Sequence, residues 1–340
     1  MYLSIHILNF FIYLCLHIPA RGCPAPDITV REPAVCPSSG IRTQETTRMQ
    51  TSIDLLRHQL GGIYPPGEIT AFARMIFEAL CGYSPTDILL RKDTILSEDI
   101  HRKVEEIAGR LAQQEPIQYI LGYAWFCGRR FDIAPGALIP RPETEELVRL
   151  IIKENSGREL RIADLGTGSG CIAVTLVLEL PHSRVEAWEL SPDALAIARR
   201  NASKWQARVD FVQRDILHYD LSQAPSRSLD LIVSNPPYVR QSERESMSGN
   251  VLDYEPHEAL FVPDATPLLF YDKIARDALT LLSPGGRLYF EINETQGEAI
   301  ARMLAGYGYP KEAGTDTPFM RNSSAALVKD TVKRTGAPGL

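Results

Sequence analysis

The chain lacks an excess of positive charge. Its 340 residues include 36 Lys and Arg against 42 Asp and Glu, which gives a formal net charge of −6. A general DNA- or RNA-binding protein needs a basic surface to contact phosphates, so this balance argues against direct nucleic-acid binding. The hydrophobic fraction of 44% is that of an ordinary globular protein, enough for one large or two moderate domains.

Patterned cysteine is also lacking. The six cysteines form no Cys-x-x-Cys pair and no cluster with histidine. A zinc site or a disulfide framework is therefore not expected, and we predict that the protein uses no metal. Cys81, Cys127 and Cys171 are expected to pack as small hydrophobic residues.

The N-terminus lacks the charge pattern of an export signal. Residues 5–19 are apolar, but no Lys or Arg precedes them and the first, Arg21, follows. The run is also shorter than the roughly 20 residues that span a bilayer as a helix. Because residues 21–48 show little periodicity, we predict that residues 1–48 lie outside the folded core, for instance as an over-extended gene start. A real export signal is the alternative; otherwise the protein is expected in the cytoplasm, without membrane contact.

Residues 49–120 carry apolar side chains at helical spacing. In one segment Ile100, Val104, Ile107 and Leu111 follow one another at steps of three and four. Short amphipathic helices are stabilised by packing on one another, so these residues predict a small helical bundle. They contain no catalytic constellation, and a structural or partner-docking role is the preferred interpretation.

A connector follows in residues 121–145. Two aromatic stretches flank Cys127-Gly128-Arg129, which predicts a β-hairpin with glycine in its turn. Arg141 stands between two prolines, so its backbone is expected to be extended, and the next helix is expected to begin at Thr144. These residues border an active site or form a rigid linker, and the local pattern does not decide between the two.

From residue 146 to about residue 330 the pattern alternates strand, turn and helix, which predicts an α/β fold with a parallel, doubly wound sheet. The first strand contains Asp164 and runs into Gly166-Thr167-Gly168-Ser169-Gly170, followed by a helix. Glycines let the backbone approach a ligand closely, and a helix N-terminus offers free N–H groups. The spacing differs from the dinucleotide fingerprint and is similar to the first motif of class I S-adenosylmethionine-dependent methyltransferases. Another kind of nucleotide-cofactor turn is the alternative.

Two further strand ends carry acidic residues. Glu189 ends the second strand, about twenty residues after the glycine turn, where a carboxylate can accept both hydroxyls of a ribose. A solvated charge at a strand end is the alternative for Glu189. After the third strand, Asp215 is placed to read an adenine and Ile216 to pack on it. Parallel strands end at one edge of a sheet, so these residues are expected to lie beside the glycine turn.

The fourth strand ends in a stiff turn, Asn235-Pro236-Pro237-Tyr238. Neither proline has an N–H to continue a strand ladder, and each holds the residue before it in an extended backbone. The turn therefore presents the Asn235 amide, the Pro236 carbonyl and the Tyr238 ring at the ligand-binding edge. This arrangement suits a planar group that carries an NH2. A strand that merely stops at prolines is the alternative.

The remainder of this domain is less informative. Residues 239–266 are expected to form a long polar loop, and such loops are often functional. His257 in this loop invites a general-base role, but a lone loop histidine is usually exposed, so no role is assigned to it. A fifth strand is expected to begin at Arg287, after a stop at Ser283-Pro284-Gly285-Gly286. Residues around Phe319 and Ala325-Ala326-Leu327-Val328 are expected to supply a closing antiparallel hairpin.

Together these features closely resemble one family, the protein-(glutamine-N5) methyltransferases that modify peptide chain release factors. The resemblance includes Ile139-Pro140-Arg141-Pro142-Glu143-Thr144-Glu145 and Phe290-Glu291-Ile292, and it runs from about residue 49 to about residue 329. The Asn-Pro-Pro-Tyr turn alone is shared with methyltransferases that act on amino groups of DNA and RNA bases. The segment at 139–145, just before the cofactor domain, is far more specific.

The resemblance implies a Rossmann-like class I methyltransferase domain at about 146–330, a helical domain that docks the release factor, and S-adenosyl-L-methionine as the methyl donor. The glycine turn would hold the methionine part of the cofactor, and Glu189, where the family commonly has Asp, would hold the ribose. The implied cofactor-binding residues are Asp164, Gly166, Thr167, Gly168, Ser169, Gly170, Glu189, Asp215, Ile216 and Asn235.

The resemblance also implies the substrate, the glutamine of the Gly-Gly-Gln motif in class 1 release factors, methylated on its side-chain nitrogen N5. Asn235 and the Pro236 carbonyl would accept the two amide N–H bonds, and Tyr238 would pack on the amide. The implied catalytic and substrate-binding residues are Asn235, Pro236, Pro237 and Tyr238. Two other hypotheses stay open: a methyltransferase for an exocyclic amino group of a nucleic acid (adenine N6 or guanine N2), and a non-catalytic binding module.

Overall fold

A computed structural model describes three stretches of the chain, all within the compact unit Glu45–Leu340: residues 47–221, 227–309 and 326–330. Of the predicted N-terminal extension, only Thr47 and Arg48 fall within these stretches. They form β1 (Thr47–Arg48), which pairs antiparallel with β2 (Ile95–Leu96). The other residues of the extension, and the tail at 331–340, lie outside the described residues, so both boundaries stay predictions.

Short helices follow β1 and pack on one another. Ser97 accepts a hydrogen bond from the N–H of Ile100 and caps the fourth of them. Val104, Ile107 and Leu111, the apolar stripe seen in the sequence, are buried in a core that all of these helices share. The predicted helical bundle is therefore confirmed. Its helices are α1 (Met49–Leu60), α2 (Pro66–Cys81), α3 (Pro85–Leu90), α4 (Glu98–Ala112) and α5 (Ile117–Leu121).

The predicted hairpin follows the bundle. Its turn is Cys127-Gly128, and both residues have positive φ, the conformation that lets a two-residue turn match the twist of its strands. Phe126 and Phe131 lie edge to face with ring centres 6.0 Å apart, and both are buried in the core of the following domain. The hairpin is thus packed onto the α/β domain. Its strands are β3 (Tyr123–Phe126) and β4 (Arg129–Asp132).

Within the described ranges, six strands form the main sheet, in the order β12-β11-β8-β5-β6-β7. Neighbouring strands are parallel except for β12, which runs antiparallel to β11 at the edge. The predicted parallel, doubly wound sheet is confirmed. The strands are β5 (Arg161–Leu165), β6 (Arg184–Glu189), β7 (Val209–Gln213), β8 (Leu229–Ser234), β11 (Leu282–Glu291) and β12 (Ala326–Asp330).

Helices cover both faces of this sheet, because successive strand residues point to opposite sides. In β8, Leu231 and Val233 join one core cluster and Ile232 joins the other. The first cluster packs against α6 and α7, and the second against α10 and α11. The helices of this domain are α6 (Pro142–Asn155), α7 (Cys171–Glu179), α8 (Pro192–Lys204), α10 (Leu269–Leu281) and α11 (Gly297–Gly306).

Helix α6 begins at Pro142 rather than at Thr144 as expected. Proline fits the first helical position, because its φ is already helical and its missing N–H would have no partner there. Arg141 precedes the helix with an extended backbone (φ −103°, ψ 151°), as its position between two prolines predicts. The two-residue shift places Thr144 inside the first turn of α6.

Two later segments also differ from expectation. Residues 239–266 are not a structureless loop, because short elements interrupt them: β9 (Val239–Arg240), α9 (Gly249–Leu252) and β10 (Phe261–Val262), with β9 and β10 paired in parallel. Strand β11 begins at Leu282 instead of Arg287, and a register shift against β8 absorbs the intervening prolyl and glycyl residues. Of the expected closing hairpin, the second strand is present as β12, antiparallel to β11, while Phe319 lies outside the described residues and its strand is not tested.

Asn201 on α8 joins the hairpin to the glycine turn. Its amide accepts from the N–H of Asp132 (2.7 Å) and donates to the carbonyls of Asp132 (3.0 Å) and Ser169 (2.9 Å). We expect Asn201→Ala to lower the free energy of unfolding by about 2–4 kcal/mol, because it leaves buried backbone groups unpaired. Urea unfolding measures the change. Ser203→Ala, at an exposed position of the same helix, is the control and should change stability by less than about 0.5 kcal/mol.

Candidate active site

A cavity of about 550 Å³ opens at the carboxyl ends of the parallel strands. This is the edge at which open α/β sheets bind ligands, and the size suits a small organic molecule. Its wall is formed by the connector before α6, the turns after β5, β6, β7 and β8, the region around Pro256, and Phe270 of α10. The predicted site residues in this wall are Gly166, Gly168, Glu189, Asp215, Ile216, Asn235 and Pro237.

The glycine turn approaches the cavity with its backbone. The N–H groups of Gly166 and Thr167 both donate to the carbonyl of Trp188 at 2.9 Å, which fixes the turn against β6. Gly168 has φ +56°, and a Cβ built there would meet no atom within 4 Å. Gly168 also lines the cavity, so a ligand can come close to its backbone. Gly170 serves packing instead, because a Cβ there would come within 3.0 Å of Ala198.

Glu189 holds two neighbouring turns together at the cavity wall. One carboxylate oxygen accepts from the N–H of Gly168 (2.8 Å) and the other from the N–H of Ser191 (3.0 Å). A carboxylate oxygen can accept a second hydrogen bond, so both oxygens keep capacity for a ligand hydroxyl. The position therefore suits the two hydroxyls of a ribose.

The remaining predicted residues of the turn lie behind the cavity wall. Asp164 is fully buried and accepts a hydrogen bond from the Thr167 hydroxyl at 2.6 Å. Burial raises the pKa of Asp164 to about 7, although hydrogen bonds from Thr167 and the Ala173 backbone oppose the rise. Ser169 is buried as well. The structure therefore places these side chains as supports beneath the turn.

Asp215 and Ile216 form the far wall. Asp215 accepts from the N–H of Leu217 (2.8 Å) and lies 2.7 Å from the His218 ring nitrogen Nδ1. Burial alone would raise the pKa of Asp215, but these hydrogen bonds outweigh it and hold the pKa below its usual value. Ile216 lies across from Gly166 and gives the wall a flat apolar surface, which suits a purine ring.

The Asn-Pro-Pro-Tyr turn meets α6 and β11 at the other side of the cavity. The Asn235 amide donates to the Thr144 hydroxyl at 3.3 Å, and that hydroxyl donates to Glu291 at 2.6 Å. Pro236 is buried behind the wall, and the Tyr238 ring packs on the second core cluster. Burial raises the pKa of Tyr238 well above its usual value, so its hydroxyl stays protonated.

Thr144 and Glu291 were not among the predicted site residues. Both stand in the segments that carry the family resemblance, which was the available signal. Nothing in their spacing indicates that Thr144, from α6, and Glu291, from β11, meet beside Asn235. Their contact arises from the packing of α6 against the sheet.

A buried ion pair closes the site on the connector side. Glu255 accepts from the guanidinium of Arg141 at 2.5 Å and from the N–H of Ile139 at 3.1 Å, and it is buried. The pair ties the connector to the segment around Pro256, and both segments line the cavity. Arg141 thus joins two segments that line the cavity, while Arg141 itself is not among the residues of the cavity wall, so its role at the site stays a prediction. Sequence reasoning missed Glu255. Nearby, the His257 ring nitrogen Nε2 lies 2.7 Å from the Leu252 carbonyl, and His257 is not in the cavity wall.

The charges around the cavity are mostly acidic. Glu189, Asp193, Asp215 and Glu258 line it, against one arginine, Arg214. The Arg214 guanidinium lies over the Trp188 and Tyr219 rings, at 4.2 and 4.3 Å from their centres, so its charge is held at the wall. An acidic site with an open glycine turn, a carboxylate able to accept hydroxyl groups and an apolar wall fits S-adenosyl-L-methionine, whose sulfonium is a cation.

The strand order, the glycine turn and Glu189 define a class I methyltransferase that uses S-adenosyl-L-methionine. The chain also matches the family models "Methyltransferase small domain" over residues 125–254 and "PrmC N-terminal domain" over residues 56–122. It is 51% identical over 249 residues to the release factor glutamine methyltransferase of Bacteroides thetaiotaomicron, which covers 73% of this chain and 88% of that protein. The chain belongs to the release factor glutamine methyltransferase family.

Other relatives agree with this assignment. The release factor glutamine methyltransferase of Flavobacterium psychrophilum is 44% identical over 255 residues, covering 74% of this chain and 88% of that protein. Among solved structures, a methyltransferase from Pyrococcus furiosus aligns with 66% of this chain and 98% of its own, at a TM-score of 0.42 and 17% identity. That structural likeness is too low to add to the assignment.

None of the helices within the described residues combines the length and the apolar character that crossing a bilayer requires. No group of three or more His, Cys, Asp or Glu side chains within the described stretches is arranged to hold a metal ion.

Glu189→Ala should weaken binding of S-adenosyl-L-methionine by roughly 10- to 100-fold, because it removes ribose acceptors and releases the N–H groups that shape the glycine turn. Isothermal titration calorimetry with the cofactor alone measures the loss. Glu159→Ala, an exposed acid just before β5, is the control and should bind as the wild type does. Equal affinity of the Glu189 variant and the control would remove Glu189 from the cofactor site.

Proposed function

We propose that this enzyme transfers a methyl group from S-adenosyl-L-methionine to the side-chain nitrogen N5 of the glutamine in the Gly-Gly-Gln motif of class 1 release factors, in the cytoplasm. The observation that supports this most is the position of Asn235 and Pro237 in the same cavity wall as Gly168 and Glu189. The turn proposed to bind the amide thus lies beside the turn proposed to bind the cofactor. The names of the relatives point to the same reaction.

The chemistry explains why such a turn is needed. A carboxamide nitrogen is a poor nucleophile, because its lone pair is delocalised into the carbonyl. S-adenosyl-L-methionine, when bound, supplies a methyl group that its sulfonium activates. Asn235 Oδ1 and the Pro236 carbonyl are proposed to accept the two N–H bonds of the glutamine amide. They orient its nitrogen toward the methyl group and stabilise the positive charge that develops there.

No general base is required by this scheme. The charge that builds on nitrogen is stabilised by neutral acceptors, and the proton is lost to water after transfer. His257 therefore receives no role. The Tyr238 ring is proposed to pack on the substrate amide, as its place in the family motif implies, and its raised pKa keeps it neutral at physiological pH.

Asn235→Ala should lower the turnover number by roughly 10²–10³, because one oriented acceptor of the transition-state charge is lost. Methylation of purified release factor under saturating cofactor measures it. Cofactor affinity, measured by calorimetry on the same variant, should change by less than about threefold and serves as the internal control. Turnover equal to the wild type would defeat the proposed role of Asn235.

The acceptor itself can be tested against the nucleic-acid hypothesis. We expect label from radioactive S-adenosyl-L-methionine to enter release factor, and neither ribosomal RNA nor duplex DNA. Release factor whose Gly-Gly-Gln glutamine is replaced by alanine should take up no label. Methylation of RNA or DNA, with none of release factor, would favour the amino-group methyltransferase instead.

The domain assignment forms part of this proposal. We assign residues 49–120 to release-factor docking, 121–145 to the connector and 146–330 to methyl transfer. The bundle exposes large apolar side chains for which the described residues provide no cover, since Leu89, Leu90 and Ile95 are 67%, 77% and 60% exposed. Apolar surface of this kind is typical of a protein-binding site.

Leu90→Ser should raise the KM for release factor roughly three- to tenfold and leave the turnover number unchanged, because it removes apolar contact area without touching the cavity. Steady-state kinetics with intact release factor measures both constants. Leu279→Ser, at a 42% exposed apolar position on α10, is the matched control. An unchanged KM in the Leu90 variant would separate this part of the bundle from docking.

A further inference from the structure

We infer that Thr144 and Glu291 are positioning residues that determine which side of the Asn235 amide faces the substrate. This inference rests on the proposed function and deepens it. An asparagine amide has an acceptor side and a donor side of almost equal shape. Only the acceptor side can receive an N–H from a glutamine amide, so the enzyme needs a means of selecting it.

Three side chains from separate elements form the hydrogen-bond chain that selects the orientation of the Asn235 amide. Asn235 follows β8, Thr144 lies in the first turn of α6, and Glu291 ends β11. The Asn235 Nδ2 donates to Thr144 Oγ1 at 3.3 Å, and Thr144 Oγ1 donates to Glu291 Oε2 at 2.6 Å. The Asn235 side chain also hydrogen-bonds Glu291 directly, which favours the same orientation of the amide. Thr144 and Glu291 are both buried, so water does not compete for these groups.

The direction of this chain follows from the chemistry of its last member. An ionised carboxylate has no proton to give, so the single proton of the Thr144 hydroxyl must point to Glu291. The oxygen of Thr144 then acts toward Asn235 only as an acceptor, and it takes the NH2 side of the amide. Asn235 Oδ1 is left for the cavity. A flipped amide would place two oxygens against each other with no hydrogen between them.

Protonation of Glu291 would remove this direction. Burial raises the pKa of Glu291 to about 7, while the hydrogen bonds from Thr144 and Asn235 oppose the rise. The charged or titratable side chains around it are Arg141, Glu143, Tyr238 and Tyr271. A protonated Glu291 can donate to Thr144, which then donates to Asn235 Oδ1, and the amide turns its NH2 to the substrate. Because the pKa of Glu291 is raised to about 7, its protonated form accumulates as pH falls through this value. Activity should therefore fall over the same range of pH.

Removal of the Thr144 hydroxyl is the first test. With release factor as substrate, Thr144→Val should lower the turnover number about 10- to 100-fold, and Thr144→Ser should restore it to within about threefold of the wild type. The KM for S-adenosyl-L-methionine should stay within about twofold in both variants. Thr175→Val is the matched control, because it removes another buried hydroxyl, on α7, that has no hydrogen-bond partner among the described residues.

The outcomes separate a positioning role from a structural one. Equal turnover in the Thr144→Val and Thr144→Ser variants would overturn the inference. A loss of turnover in Thr144→Val that is matched by an equal loss of cofactor affinity would also overturn it, since that pattern indicates a general loosening of the site. A wild-type enzyme that does not methylate release factor at all would contradict the proposed function and is recognised before any variant is compared.

The pH profile of Glu291→Gln is the second test and does not depend on the folding of the threonine variants. Glutamine cannot titrate, so the fall in turnover between about pH 8 and pH 6 seen in the wild type should be absent in this variant, whose turnover at pH 8 is already reduced. Persistence of the same fall in Glu291→Gln, or its absence from the wild type, would overturn the assignment of the titrating group to Glu291.

Discussion

The site depends on one constraint, the pairing of β5 with β6 on one side and with β8 on the other. The chain leaves the end of β5 through the glycine turn. The later connections lead to β6 on one side of β5 and to β8 on the other. The ends of β6 and β8 therefore lie next to this turn, and a crevice remains between their connections. Glu189 and Asn235 stand at those two ends, so the sheet order alone brings to one cavity the carboxylate proposed to bind the ribose and the amide proposed to bind the substrate.

Buried carboxyl groups hold this edge of the sheet together. Asp164 supports the glycine turn from below, Glu255 joins the connector to the segment around Pro256, and Glu291 supports the Asn235 side through Thr144. Burying a carboxylate is costly unless it is hydrogen-bonded, and each of these groups receives at least one hydrogen bond. Burial raises the pKa of both Asp164 and Glu291 to about 7. Such perturbed groups concentrate at functional sites, where precise placement outweighs their cost in stability.

Much of the architecture could be predicted from local chemistry. Helical spacing of Val104, Ile107 and Leu111 indicated the bundle, the Cys127-Gly128 turn indicated the hairpin, and the alternation of strands and helices indicated the parallel sheet. The two misplaced boundaries have different causes. Helix α6 begins at Pro142 because proline itself favours the first helical position, whereas pairing with β8 extends β11 back to Leu282, past the local stop signal.

The sequence was sufficient for everything that depends on neighbours along the chain: the stiff proline turn after β8, the glycine turn after β5, and the acid at the end of β6, whose roles stay predictions. Tertiary structure alone decided which of these residues line the cavity and which stand behind its wall. Gly168 lines the cavity, whereas Asp164 is buried behind the wall. It also decided the contacts of Thr144 with Glu291 and of Arg141 with Glu255, across separations of 147 and 114 residues. The physical reason is that spacing along a chain determines periodicity and turns, whereas contacts between distant segments depend on how helices and strands pack.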